Sequence, residues 1–291
     1  MRGLEVEARS DGSEYRQILG VRFFTGTAGE AVRRGLRGGL VVVPSAPALL
    51  GVEDDHLYRQ AVLDADLVIT DSGLMVLVWW LLTGERITRV SGLEYLRLLL
   101  DADALREPGS VLWIMPTPAA RDRAIRWLGQ IGIACSEEDC YVAPFYPPGE
   151  IGDEALLARV RTRRPRHIVV GLGGGTQERL GLFLRRRLDY GPGIHCIGAA
   201  IGFLSGDQVS IPRWADHACL GWLFRCLSEP RRFVPRYWRA RRLVSVMWRY
   251  GERLPEFVGG TINSDLEGCG PCTQTPGSLS RATRGWSGRP S

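Results

Sequence analysis

Short, almost wholly apolar runs recur along the chain, separated by longer stretches with apolar residues three and four apart. The runs at Gln17–Phe24, Leu40–Val43, Leu67–Thr70, Val111–Met115, Tyr141–Val142, His167–Gly171 and Ile194–Gly198 predict strands. The stretches Gly29–Arg37, Asp54–Asp64, Leu74–Leu82, Ser91–Leu100, Ala119–Ile131, Gly152–Arg164 and Thr176–Leu188 predict helices. Thr27 followed by Glu30 has the spacing of a capping box for the first of these. In Asp54–Asp64, Leu57, Ala61 and Leu63 are expected to face inward, and Pro44-Ser45-Ala46-Pro47 is expected to be a loop. Strands alternating with helices predict an α/β fold with a mainly parallel sheet flanked by helices. The expected division is a leader over 1–15, an α/β core over 16–212, a basic helical appendage over 213–254, and a tail over 255–291. That tail is rich in Gly, Pro, Ser and Thr and is expected to be disordered.

Composition narrows the class. A chain of 291 residues with 45% apolar content can bury a full core. The net charge is +5 with a pI near 9.0, and every basic residue is arginine, whose planar fork suits phosphate. No run of 18 apolar residues is present to span a bilayer, and the polar, acidic opening residues are unlike a signal peptide. Seven scattered cysteines fit a reducing compartment. Cys269 and Cys272 form a CGPC, but without a βαβ context and without the second pair a structural zinc site needs.

Three stretches carry candidate chemistry. In Ala65–Glu94 a buried strand ends at Asp71, followed by Gly73 and an apolar helix. Ligands bind outside the carboxyl ends of strands in such sheets, so Asp71 is placed on a candidate rim, with Arg89 able to return to it. The plainer alternative is that Asp71 caps the helix. The second stretch is a glycine turn, HIVVGLGGGTQERL, with Gly171, Gly173, Gly174 and Gly175 between a strand and a helix. Its backbone and helix N-terminus suit a diphosphate, and Gln177 and Glu178 are placed to reach a sugar or a base. A tight βα turn with solvated helix polars is the alternative. The third stretch, Ile211–Leu254, mixes Trp214, Trp222, Trp238 and Trp248 with many arginines. Phe233, Tyr237, Trp238, Val244, Met247 and Trp248 recur at helical intervals there. That pattern suits an anionic membrane surface, nucleic acid, or a docking helix with core tryptophans. The Asp64-Ala65-Asp66 step reads as capping and turn residues rather than a metal motif.

Taken in order, these stretches resemble the WecG/TagA/CpsF family of bacterial glycosyltransferases. The marks run from about Ile18 to Ala240: ILGVRF, ADLVITDSGLMVLVWWLLTGERITRVSGLEYL, VVGLGGGTQE, and IGAAIGFLSG with IPRWADHACLGWLFRCLSEPRRFVPRY. The resemblance implies a Rossmann-like fold with a basic C-terminal helical appendage. It implies inverting transfer of a sugar, of N-acetylmannosamine type or a related hexose, from a UDP-sugar to a polyprenyl-diphosphate-linked acceptor, without a cofactor or obligatory metal. It places the catalytic base at Asp71, an active-site arginine at Arg89, and an acidic position at Glu94. It aligns Gly171, Gly173, Gly174, Gly175 and Gln177 with the nucleotide-sugar turn, leaves Ser45 as the hydroxyl after the second strand, and aligns Arg225, Arg232 and Arg236 with the diphosphate-facing appendage. It also implies peripheral association with the inner face of the plasma membrane from the cytoplasm, with a possible homo-oligomer and no nucleic acid. The chain departs from the family pattern at Pro44–Pro47, Met115–Pro118, Gly202 and Ser210, around the expected donor pocket, and this leaves the donor sugar open. A non-catalytic or nucleic-acid-binding protein remains the alternative; a dinucleotide-binding oxidoreductase is disfavoured by the absent GxGxxG. Glu229–Leu254 is expected to bind anionic bilayers reversibly and to be separable from a soluble core.

Overall fold

The computed structural model describes residues 14–198, 200–206 and 221–258. It opens with a hairpin, β1 (Tyr15–Ile18) and β2 (Val21–Phe24), where the sequence pattern predicts one strand. Leu19 and Gly20 turn the chain at φ 52° and 76°, the two positive angles of a tight hairpin turn. A left-handed leucine is unfavourable alone. Here it is buried, and the N–H groups of Leu19 and Gly20 donate to Gly251 and Glu252 carbonyls at 2.8 Å each.

The chain then alternates: α1 (Ala28–Gly35), β3 (Gly39–Val42), α2 (Ala46–Leu49), α3 (Gly51–Asp54), α4 (His56–Leu63), β4 (Leu67–Ile69), α5 (Gly73–Thr83), α6 (Gly92–Leu100), α7 (Asp103–Arg106), β5 (Val111–Met115), α8 (Pro118–Gln130), β6 (Cys140–Val142), α9 (Glu154–Arg163), β7 (His167–Val170), α10 (Thr176–Arg187), β8 (Gly193–Cys196) and α11 (Ala200–Leu204). One sheet has the order β1-β2-β4-β3-β8-β7-β5-β6, parallel throughout except for β1. The alternation of side chains sorts each strand onto two apolar layers. Leu40, Val42, Leu112, Ile114, Ile168 and Val170 join one core, with residues of α4, α5, α9 and α10. Val41, Trp113, Met115 and Val169 join the other, with residues of α1, α6 and α8. Each fully buried Val, Leu or Ile contributes about 1.5–3 kcal/mol, so strands apolar on both faces are held in the centre of the sandwich. The α/β fold with a Rossmann-like, mostly parallel sheet is as expected.

Two local expectations are corrected. The loop expected over Pro44–Pro47 becomes helical at Ala46: Ser45 stands at the N-cap of α2 and Pro47 in its first turn, where its missing N–H costs nothing. The helix expected over Asp54–Asp64 breaks at Asp55, whose extended backbone (φ −117°) ends α3 and whose side chain accepts from Tyr58 N–H at 2.9 Å to start α4. Ala61 is buried as expected, but its buried companions are Tyr58 and Val62, and Leu63 is exposed. Thr27 and Glu30 form the expected capping box. Asp66 accepts from Leu40 N–H at 2.7 Å, a contact at the start of β3 and β4 in keeping with a turn residue.

After the core come α12 (Gly221–Ser228), α13 (Pro230–Ala240) and α14 (Arg242–Tyr250). α12 packs on α13, α13 on α2, and α14 on α2 and α5. Leu243, Val246 and Met247 of α14 are buried in the first core, and Leu254 lies against Gly20. The last of these helices thus packs into the first core. Beyond it, Arg59 donates to the Pro255 carbonyl at 2.8 Å and Val258 N–H to the Glu53 carbonyl at 2.7 Å. Residues 255–258 therefore continue along α3 and α4; the rest of the expected tail, CGPC included, lies outside the described residues.

Candidate active site

The carboxyl ends of β3, β4 and β8 meet around the start of α6. Gly92 sits at that meeting point: a Cβ there would lie 2.9 Å from Val43 Cγ1, 3.7 Å from the Ile197 carbonyl oxygen and 3.8 Å from Asp71 Oδ1. Glycine is required because the helix enters between three strand ends. Gly92 N–H donates to Asp71 Oδ1 at 2.9 Å. Asp71 therefore faces the N-terminus of α6, where the helix dipole favours a carboxylate. It does not cap its own following helix. Ser72 does that, accepting from Met75 N–H at 3.1 Å. The capping alternative for Asp71 is thereby overturned.

The loop between α5 and α6 brings Arg89 back to the same place. Arg89 Nε donates to the Asp71 carbonyl at 2.8 Å, and its Nη2 lies 3.9 Å from Asp71 Oδ1. The two side chains are 27% and 20% exposed for Asp71 and Arg89, partly sheltered but open to a ligand. Glu94 stands in the first turn of α6, half-buried, with its N–H capped by Ser91 Oγ at 3.0 Å. Asp71, Arg89 and Glu94 are thus gathered at one junction.

Sequence reasoning missed the residue that closes this junction. Thr70 is fully buried at the end of β4. Its hydroxyl donates to the Thr88 carbonyl at 2.6 Å and accepts from Val90 N–H at 3.1 Å, holding the chain on both sides of Arg89. The available signal was a hydroxyl residue closing an otherwise apolar strand immediately before the rim carboxylate.

The glycine turn lies farther along the same rim, at the end of β7. Three strand spacings separate β4 from β7, roughly 14 Å. Gly171 is buried and donates to the Ile114 carbonyl at 2.9 Å, while Gly173 and Gly174 are exposed. A Cβ on Gly173 would meet nothing within 4 Å, so protein packing does not account for that glycine. Gly175, at φ 93°, turns the chain into α10.

Gln177 and Glu178 are placed differently from expectation. Both are buried. Glu178 Oε2 accepts from Gly175 N–H at 2.6 Å, and Gln177 Nε2 donates to Glu178 Oε1 at 3.0 Å. The carbonyl of the Gln177 side chain accepts from Gly198 N–H, tying the turn after β7 to the turn after β8. They shape the rim from beneath rather than presenting themselves to a sugar. Ser45, after β3, is half-buried and makes no side-chain capping bond. Arg225 falls on α12, and Arg232 and Arg236 on α13, which packs on the helix that follows Ser45. Among the described residues, no three His, Cys, Asp or Glu side chains are grouped as metal ligands.

The sequence model of the Glycosyl transferase WecG/TagA/CpsF family matches residues 16–256. The chain belongs to this family. No curated protein matches it. A WecG/TagA/CpsF glycosyl transferase must bind a sugar donor and an acceptor. A carboxylate within reach of an acceptor hydroxyl can take its proton. Arginine and helix N-termini can stabilise charge that develops on a leaving group. The junction supplies the first, together with Arg89; the turn after β7 supplies exposed backbone at the start of α10.

Proposed function

We propose that this member transfers a hexose or N-acetylhexosamine from a UDP-sugar to a polyprenyl-diphosphate-linked acceptor, with inversion and with Asp71 as general base. The observation that carries the reading is the position of Asp71. Its carboxylate stands partly open on the rim, held by Gly92 and flanked by Arg89. Asp71 takes the proton of the acceptor hydroxyl as that oxygen attacks the anomeric carbon. The bond from that carbon to the UDP oxygen breaks on the opposite face, and UDP departs with the electron pair. The backbone at Gly173 and Gly174 receives the diphosphate, and arginines balance its charge in place of a metal. Arg225, Arg232 and Arg236 serve the acceptor diphosphate. The lipid tail of the acceptor makes the site of action a membrane surface, reached by peripheral association on its cytoplasmic side.

The test is UDP release by the purified protein from a panel of UDP-sugars, with a short-chain polyprenyl-diphosphate-linked N-acetylhexosamine as acceptor. One donor should give acceptor-dependent release. Asp71→Asn should lower turnover roughly 10²-fold or more, the range for loss of a general base. Asparagine keeps the Oδ1 acceptor for Gly92 N–H, so the folded state and UDP affinity should be preserved. Near wild-type turnover in that variant would remove Asp71 as the base. Failure of the wild-type protein to bind UDP at all would favour a non-catalytic role for the arginine- and tryptophan-rich surface.

A further inference from the structure

α5, GLMVLVWWLLT, contains no charged residue and is apolar on all sides. A helix of that kind is expected to be covered all round. Here Met75, Val78 and Trp79 are buried, but Leu77 is 50% exposed, Trp80 40% and Leu81 66%. The three stand at i, i+3 and i+4 and form one stripe. α14, which packs on α5, is divided in the same way. Leu243, Val246 and Met247 face the core, while Val244 is 43% and Trp248 78% exposed. Arginines accompany these faces. The Arg86 guanidinium, just beyond α5, lies 5.7 Å from the centre of a Trp80 ring, and Arg249 on α14 lies 5.3 Å from that of Tyr250; Arg241, which joins α13 to α14, lies 3.8 Å from the ring of Trp238 on α13.

We propose that the outward faces of α5 and α14 together form a docking platform for an anionic bilayer surface, with α5 supplying the apolar anchor. This rests on the lipid-linked acceptor proposed above and adds a contact inside the catalytic core, where the sequence pattern pointed only to the C-terminal segment. Leucine and tryptophan side chains enter the headgroup boundary while neighbouring arginines reach lipid phosphates. Charge selects this occupant. A second copy of the chain would bring the same arginines toward one another, which opposes association. Nucleic acid would use the aromatic rings but has no use for Leu77, Leu81 and Val244. No described helix is long and apolar enough to cross a membrane, so the contact is at the surface.

The placement also has a mechanistic meaning. α5 starts at Gly73, two residues after Asp71. Leu77 and Leu81 lie about 6 and 12 Å along its axis from that start. Docking through them would hold the Asp71 rim a short, fixed height above the headgroups, as an acceptor sugar on a membrane-anchored diphosphate requires.

Full-length protein is mixed with vesicles of phosphatidylcholine containing phosphatidylglycerol, and with vesicles of phosphatidylcholine alone, at low and high salt. Wild-type protein should sediment with the anionic vesicles, more at low salt. Brominated lipid should quench tryptophan emission, and Trp80→Phe should reduce that quenching. Leu77→Ser combined with Leu81→Ser should weaken binding roughly tenfold or more. Circular dichroism and UDP affinity of that variant should stay as in wild type, because both positions are exposed. Wild-type-like vesicle binding by the double variant, alongside loss of binding in Arg241→Glu with Arg249→Glu, would refute the α5 anchor and leave the membrane reading standing. Indifference of the wild-type protein to both vesicle types would refute both. A concentration-dependent dimer that the leucine variant abolishes, with vesicle binding unchanged, would make the face a self-association surface and overturn the proposal.

Discussion

At the residue scale the junction around Asp71 depends on a side chain that performs no chemistry. Thr70 fixes Thr88 and Val90 with two hydrogen bonds, and Arg89 between them is thereby directed to the Asp71 carbonyl. Thr70→Val keeps the shape but leaves the buried Val90 N–H without its acceptor, which costs about 1–3 kcal/mol. Stability should fall by that order. If Asp71 and Arg89 act as proposed, turnover should fall roughly 10–100-fold, since small displacements of reacting groups carry large rate penalties. Thr70→Ser retains the hydroxyl and should restore both. Phenylglyoxal labelling of Arg89, followed by peptide mass mapping, separates positioning from general destabilisation. Labelling should accelerate in the valine variant and not in the serine variant; equal labelling in all three would disprove the clamp. The sequence offers only a faint signal of this, a hydroxyl residue after an apolar strand. A threonine ending a strand is common, and only the return of a loop 18 residues later gives its hydroxyl two partners.

At the scale of elements, the strands and the rim were largely legible, because apolar runs and glycine turns are local signals. The pattern of Gly171–Gly175 suits a diphosphate or a tight βα turn, and the structure supplies a reason to test Gly173 in particular. A side chain there meets no protein atom, so Gly173→Val should fold and melt as wild type. Calorimetry should nevertheless show UDP binding weakened about tenfold or more, because a β-branched group would bar the backbone from the diphosphate. Unchanged affinity would take the turn out of the binding site. What misled at this scale was helix polarity. Gln177 and Glu178 open α10 and look solvated in sequence, yet both are buried and bonded to turns on either side. Likewise the apolar spacing predicts Ala61 and Leu63 inward; Ala61 is, but Tyr58 and Val62 complete the buried face and Leu63 is exposed.

At the scale of the whole molecule, a buried polar chain links the neighbouring strands β7 and β8 to α6. Tyr95 OH lies 2.9 Å from His195 Nδ1, and His195 Nε2 lies 3.2 Å from His167 Nδ1. Two neutral imidazoles satisfy this chain in either direction of donation; protonating both rings would set two N–H donors facing each other. Burial first, and the neighbouring His167 second, hold His195 far below its ordinary value of 6.5, down to about 3. Burial also lowers His167, as does Arg166 beside it. A base whose folded pKa is depressed is protonated more readily in the unfolded chain, so stability is complete above the ordinary value and is lost as pH falls below it. Thermal melting should therefore decline from about pH 6.5 downward, by up to roughly 3 kcal/mol from His195 alone near pH 4. His195→Gln should flatten that acid slope. A wild-type melting temperature independent of pH over this range would show that the pair does not govern acid stability.

What the sequence determined by itself was the α/β class, the strands, the Asp71 and glycine rims and the family, because each rests on residues close together in the chain. Alternation, capping spacing and strand-to-helix turns are local physics, and the family match is read from ordered motifs. Only the tertiary structure decided which polar residues face the crevice and which lie beneath it. It made the Leu19-Gly20 turn tenable through carbonyls of Gly251 and Glu252, more than two hundred residues away. It also packed α14 into the core and left one stripe of α5 uncovered, although α5 is the more uniformly apolar of the two. Burial is a property of what arrives from elsewhere in the chain, and a residue's own pattern does not contain it.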